Sequence, residues 1–284
     1  MNRRLFLFLL STTAGGNFLF GNETPKTLLR YRFKKGEELH WNVQHTLRMR
    51  NIIGGLEENI ETRSRAVKIW KTLDVDAQGS AMFEYRVEDV NVHQSQSGRD
   101  DAVYNSRRDK TIPVEFVNLT GKIGVPLARI KIGPQGTTTK QPIREYEGSI
   151  SENRIVIPLP DEPVGVGSTW SEPAQIDLPQ PNQTVKKIRI RHEFNMERMQ
   201  SGLATIKFST LIFTPLTPKE QSQLLEHYSV GTMDLDLQAG HFIRHQATID
   251  RHVVGVQEAA DSIRYHSRIT ECCCGRRACE ICNV

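Results

Sequence analysis

Residues 66–92, AVKIWKTLDVDAQGSAMFEYRVEDVNV, decide how the chain is read. Side chains alternate in character with period two, as a half-buried strand requires. The stretch therefore predicts two strands, Ala66–Val75 and Ala81–Val92, joined by a turn at DAQG. Gly79 is the turn residue suited to positive φ. Upstream, ELHWNVQHTLRM places Leu39, Trp41 and Val43 on one face and His40, Asn42 and Gln44 on the other, a further strand.

The same device returns at 185–213, VKKIRIRHEFNMERMQSGLATIKFSTLIF, which predicts strands Val185–Met196 and Ala204–Phe213 across MQSG. Aligning the turns sets Gly79 on Gly202, Ala81 on Ala204, Phe83 on Ile206 and Tyr85 on Phe208. A Gly and a Trp precede each hairpin, in KKGEELHW and GVGSTW. In TPKEQSQLLEHYSVG, Thr217 is an N-cap, Pro218 the first helical residue, Glu220 the partner in a capping box and Gly231 the stop. Leu224, Leu225 and Tyr228 form its apolar stripe, and TIPVEFVNLTG (111–121) is the weaker counterpart in the first half. Second hairpins follow at 127–143 and 233–256.

Each half thus reads as strand, long hairpin, short helix, second hairpin, with the join at the Pro-rich IPLPDEPVGVG (157–167). The fold class is α+β, mainly antiparallel β, built as two pseudo-repeats of curved sheet, each with a short helix. The repeats span 27–150 and 151–271, preceded by a leader over 1–21 and followed by a Cys-rich tail over 272–284. Long sheets of this kind curl around a shared core or a cavity. The last strand, DSIRYHSRIT (261–270), ends where the cysteines begin, so the fold is expected to survive truncation after Thr270.

With 38% apolar residues in 284, the chain can bury a real core. Lysine and arginine number 37 against 33 acidic residues, a balance that argues against a nucleic-acid partner. MNRRLFLFLLSTTAGGNFLF begins basic, continues with an apolar run from Leu5 to Leu10 and turns to small residues, the layout of a secretory signal peptide. NRRLFLFLL also resembles a twin-arginine leader. Cleavage is expected after Ala14 or Gly21. Glycines interrupt the apolar stretch short of the roughly 20 residues a membrane span needs, so no transmembrane span is expected in the mature chain. Localisation is expected in the periplasm or cell envelope.

LRYRFKKGEELHW, VKIWKTLDVDAQGSAMFEYRVEDV and IPLPDEPVGVGSTW, in that order, resemble a family of exported, uncharacterised proteins common in planctomycetes, over roughly Leu28 to Glu271. The resemblance implies export and a β-rich fold, and brings no established activity or catalytic residues. The cysteine-rich ending departs from it.

That ending, ECCCGRRACEICNV, holds all five cysteines: Cys272, Cys273, Cys274, Cys279 and Cys282. The C-x-x-C of Cys279 and Cys282, completed by Cys274 with Cys272 or Cys273, has the ligand types of a zinc site, and Arg276 and Arg277 would favour thiolates. In an oxidising compartment disulfides are the default, and a functionless tail is the third reading. Among the histidines, His241 and His245 share a strand face but stand about 13 Å apart, too far to share an ion, and His252 falls on the opposite face. These read as surface or half-buried strand residues. Asp234 and Asp236 share a face about 7 Å apart, the spacing of a catalytic carboxylate pair and equally of a solvated strand face.

A cationic ladder is the remaining candidate. Arg63 and Arg65, with Lys187, Arg189 and Arg191, occupy one face of equivalent strands. If those strands are neighbours, the five line a surface for anionic lipid headgroups or acidic polysaccharide. No G-x-S-x-G, P-loop, post-strand GxGxxG or H-E-x-x-H motif is present. The sequence thus favours a non-catalytic envelope module that binds a lipid, another hydrophobic molecule or an envelope protein. A hydrolase using Asp234 and Asp236, and a scaffold that binds nothing small, are the alternatives.

Overall fold

Burial alternates along the first strand as the sequence pattern requires: Leu39, Trp41 and Val43 are buried, and the residues between them are not. In the computed structural model, which describes residues 26–142 and 156–274, this strand is far longer than its apolar stretch. β1 (Glu38–Ile53) runs to a two-residue loop, Gly54–Gly55, and returns as β2 (Leu56–Val75). Both loop residues have positive φ, the geometry that matches the twist of a tight hairpin and that glycine adopts without strain.

β3 (Ala81–Gln96) follows across the predicted DAQG turn, where Asp76 Oδ1 accepts hydrogen bonds from the backbone N–H groups of Gln78 and Ser80. The rest of the first half is β4 (Ala102–Asn105), a 3₁₀ turn at Val114–Leu119 in place of the weaker predicted helix, β5 (Pro126–Ile132) and β6 (Thr138–Pro142). The second half contributes β7 (Thr169–Pro179), β8 (Val185–Gln200), β9 (Leu203–Ile212), α1 (Pro218–Gln223), β10 (Val230–Asp236), β11 (His241–Val254) and β12 (Ser262–Cys274).

All twelve strands join one antiparallel sheet in the order β6-β5-β3-β2-β1-β12-β11-β10-β9-β8-β7, with β4 beside β3. The protein is mainly β, with two short helical stretches. No helix among the described residues is long and apolar enough to cross a membrane.

The two halves carry the same local features. The β2–β3 pairing slips at Leu73, between Thr72 and Asp74, and the β8–β9 pairing slips at Glu197, between Met196 and Arg198. On the partner strands the slips fall between Met82 and Phe83 and between Thr205 and Ile206, equally far from the aligned turn glycines Gly79 and Gly202, while the bulged residue stands one position closer to its glycine in the second half. Ala81 and Ala204, and Phe83 and Ile206, are all fully buried. β12 has no counterpart among the described residues and sits between the halves, bonded to β1 and β11.

Two expectations are corrected. Gly231 does not end the helix; it lies within β10, where a Cβ would meet Gln246 O at 1.9 Å and the Phe208 ring at 2.8 Å. A glycine after a helical pattern reads as a stop, but the chain has already turned at Leu225–His227 and begun a strand that needs a bare backbone. Nor does the last strand end at Thr270. β12 continues through Glu271, Cys272 and Cys273 to Cys274, pairing with Val43, Asn42, Trp41 and His40 of β1. The proposed boundary between fold and tail therefore cuts a central strand, and truncation after Thr270 removes part of the sheet. The leader over 1–21 lies outside the described residues.

Candidate functional site

The inner face of the sheet is filled at one end and hollow at the other. At the filled end Trp70 packs edge-on against Phe83, with ring centroids 6.4 Å apart, and against Tyr85 at 4.6 Å. The segment before β1 crosses that end. Tyr31 N–H donates to Pro134 O and Arg32 N–H to Gly240 O, tying it to the turns of two hairpins. Tyr31 and Phe33 then reach Phe242 and Phe83. The Tyr31 hydroxyl donates to Ile157 O and accepts from Ile157 N–H, and its burial pushes its pKa up.

Further along the same face the side chains become small. Ser64, Ala66, Ala174, Ala247 and Ser267 line a cavity of about 660 Å³. Its walls include residues of β2 on one side and of β7 on the other, so the sheet curls through the strands between them. Apolar surface comes from Val43, Ile190, Phe194, Phe208 and Ile249, while Glu226, His227 and Ser229, from the segment after α1, complete the lining.

The register explains the polar wall. One lateral row of inward residues reads Ala66, Val43, Glu271, His245, Met233, Ile206 across β2, β1, β12, β11, β10 and β9. Glu271 Oε1 accepts a hydrogen bond from Lys68 Nζ at 2.6 Å, and Glu271 Oε2 lies 2.8 Å from His245 Nδ1. All three are buried. Burial alone would raise the Glu271 pKa, but the adjacent Lys68 charge and the His245 hydrogen bond hold it down at about 2. Lys68 and His245 line the cavity, and Glu271 supports them from behind.

Beside this cluster His45 Nε2 lies 2.8 Å from Ser267 Oγ, and His192 Nδ1 lies 3.0 Å from Thr210 Oγ1. Burial lowers the pKa of His45 and of His227, so both are neutral at pH 7 and each keeps one donor and one acceptor nitrogen. The Lys68 and Glu271 charges offset each other. The cavity thus combines apolar walls with hydrogen-bonding groups and one exposed carboxylate, Glu226. The Ser267–His45 contact has the elements of a nucleophile and base, but β12 is bonded on both sides to β1 and β11. That commits the backbone N–H groups around Ser267 to the ladders rather than to a developing oxyanion.

The residues singled out in the sequence fall elsewhere. His241 and His245 do not share a face: β11 bulges between Phe242 and Arg244, so His245 turns inward with Phe242, and His241 lies on the other side. His245 is not a surface or half-buried residue but a member of the buried cluster. Asp234 Oδ1 accepts from Thr205 Oγ1 at 2.8 Å, and Asp236 Oδ1 accepts from the N–H groups of Gln238 and Ala239, closing a turn. Both carboxylates are thus engaged away from the cavity.

β2 and β8 are separated by five strands, so Arg63 and Arg65 do not meet Lys187, Arg189 and Arg191. Arg63 pairs with Glu61, and Arg191 with Glu193 and the ring of Phe213. Cys272 is buried and disulfide-bonded. Cys279 and Cys282, on which the zinc reading rests, lie outside the described residues. No group of three or more potential metal ligands converges among the described residues.

The cluster residues had a sequence signal of their own: each is a charged or ionisable group in the apolar phase of its strand. Lys68 falls between Ala66 and Trp70, Glu271 between Ile269 and Cys273, and His245 two residues before Ala247.

No protein-family model matches this chain, and no curated protein does. Among solved structures, DynF from the dynemicin biosynthesis pathway of Micromonospora chersina superposes with a TM-score of 0.22 and 6% identity, covering 93% of this chain and 92% of that one. A likeness of that degree carries no argument.

Proposed function

We propose that this chain is an exported, non-enzymatic binding protein whose curled sheet holds a single hydrophobic or amphiphilic small molecule, such as a lipid, in the cavity between β2 and β7. One observation carries the reading: a cavity of about 660 Å³ inside the sheet, walled by apolar side chains with a few fixed polar groups. That volume lies within the roughly 300–1,000 Å³ of small-molecule sites, whose lining has the same character. An apolar body would lie against Phe194, Phe208 and Ile249, and a hydrogen-bonding head would reach His45 and Ser267.

The hydrolase reading loses its basis, because Asp234 and Asp236 are used by Thr205 and by a turn. The scaffold reading needs a filled interior. Export rests on the basic and apolar N-terminal stretch. We also read the halves as copies of one ancestral unit, on the matched bulges and turn glycines.

The test is native mass spectrometry of the protein purified from its own source without detergent, followed by titration with a fluorescent fatty-acid probe. A stoichiometric adduct of lipid mass, or saturable probe binding that Ala247→Leu weakens, is the expected result. A bare polypeptide that also fails to bind the probe sinks the proposal.

A further inference from the structure

The outer face of the central strands carries a second feature. Arg63 and Arg65 do not face the cations of β8; their neighbours are β1 and, beyond it, β12. Those strands bring their own arginines. Arg50 of β1 lies directly opposite Arg264 of β12, and Arg264 opposite His252 of β11. The next row holds Arg48 and His266, and the row after it holds Arg63, Thr46 and Arg268. All six arginines are exposed. Arg48, Arg50, Arg264 and His266 border a concavity of about 730 Å³.

Three carboxylates accompany them. Glu57 pairs with Arg50, Glu61 lies against Arg48 and Arg63, and Asp250 lies 3.9 Å from His266. Among the described residues Arg65, Arg264 and Arg268 have no carboxylate partner. Six arginines against three carboxylates leave three positive charges on one patch, in a 284-residue sequence whose total is +4. Glu57 offsets Arg50, and Arg264 directly opposite keeps no carboxylate among the described residues, so an anionic partner would supply the missing counter-charge. All six are arginine, whose planar fork binds phosphate oxygens in pairs.

The rim next to this patch is apolar. Gly54 N–H donates to Asp261 Oδ1, which holds the β1–β2 and β11–β12 turns together. Leu56 is 78% and Val254 53% exposed there. Apolar side chains at an edge with arginines one or two rows behind suit a bilayer interface, with apolar groups at acyl depth and guanidinium groups at the phosphates. A soluble polyanion would leave Leu56 and Val254 unused.

We propose that this arginine face, formed by β2, β1 and β12, docks the protein on an anionic phospholipid surface. The proposal is independent of whether the cavity holds a ligand.

Flotation of the full chain with vesicles of phosphatidylcholine, alone or with phosphatidylglycerol, tests it at low and high salt. The N-terminal stretch carries Arg3 and Arg4 and adds its own preference for anionic vesicles, so the difference between wild type and variants that share this stretch reports the arginine face. The expected result is tighter binding to the anionic vesicles, reversed by salt. Arg65→Gln/Arg264→Gln/Arg268→Gln, which orphans no carboxylate, should weaken that binding about a hundredfold. Lys187→Gln/Arg189→Gln/Lys207→Gln, with the same charge change elsewhere, should stay within about threefold of wild type. Circular dichroism verifies that both variants are folded. Equal loss in the two triple variants, no preference for anionic over neutral vesicles, or salt-sensitive binding to heparin without such a preference would overturn the proposal, the last by assigning the patch to a soluble polyanion.

Discussion

The two ends of the inner face are made by the same sheet, yet one is packed and the other hollow. The difference lies in side-chain volume at equivalent inward positions. Where β1, β2 and β3 present Trp41, Trp70 and Phe83, the N-terminal segment adds Tyr31 and Phe33, and the aromatic rings interlock. Where β1, β2 and β11 present His45, Ser64 and Ala247, no comparable plug enters among the described residues. Interiors are packed about as densely as organic crystals, so a run of small inward residues beside a large void is a built feature of the sequence. Between the regions lies the Lys68–Glu271–His245 cluster, a charged floor that separates the packed core from the cavity.

The strongest way to break this division is to remove the floor. Glu271→Gln leaves the Lys68 ammonium buried without its counter-charge and should cost about 3–5 kcal/mol in urea denaturation. Lys68→Met/Glu271→Leu removes both charges and should cost much less than the single change. For the same reason a chain ending at Thr270 should lose cooperative unfolding, since it lacks both the Glu271 carboxylate and four residues of β1–β12 pairing. A double variant as unstable as the single one would show that shape, not charge pairing, holds the floor.

Acid should attack the same point. Glu271 has a folded pKa of about 2, below its ordinary unfolded value, so its contribution is complete above pH 4.5 and is lost as the pH falls toward 2. The contribution is on the order of 3 kcal/mol. His45 and His227 act earlier. Their folded pKa values are depressed by burial, so the unfolded chain takes up protons first as the pH falls below about 6.5, and stability declines there too. Denaturation midpoints measured from pH 8 to pH 2.5 should fall in two stages, and Glu271→Gln should flatten the second.

The contrast sharpens further when one substitution is made on both sides. Ala81→Leu enters the packed region, where Ala81 is fully buried between β2 and β5, and should cost about 1–3 kcal/mol. Ala247→Leu points into the chamber and should change stability by less than about 0.5 kcal/mol while reducing probe binding. Equal costs would mean that the chamber is closed to a side chain of that size.

The packed half was legible in the sequence because it follows local rules. Alternation gave the strands, Gly79 and Gly202 gave the turns, and Ala81–Tyr85 aligned with Ala204–Phe208 gave positions that are now seen buried alike, apart from a half-buried Phe208. The chamber depends on relations that no local pattern holds. A bulge in β11 puts His241 and His245 on opposite faces, and Lys68 and Glu271, 203 residues apart, meet only because β12 inserts between the halves beside β1. The arginine face was seen in part, at Arg63 and Arg65, but its other members come from strands whose adjacency follows from sheet order. Gly231 was misread because a helix stop and a strand position without room for a side chain call for the same residue.

The smallest expected effect concerns the segment that borders the chamber. α1 is six residues long and too short to be stable alone. The Thr217 hydroxyl accepts from Glu220 N–H while Glu220 accepts from Thr217 N–H, and Lys186 pairs with Glu220 at 2.8 Å. Leu224 and Leu225 then anchor the segment in two separate apolar clusters. Thr217→Ala should cost about 1 kcal/mol. If the segment opens independently of the sheet, the loss will appear as faster amide exchange over residues 217–229, with the exchange of β1 and β12 nearly unchanged. That outcome would make α1 and the turn after it the ligand's way in, since Glu226, His227 and Ser229 are the lining residues that move with it. A uniform rise in exchange across the sheet would place them in the global folding unit, and entry would then have to occur along the open edge at β7.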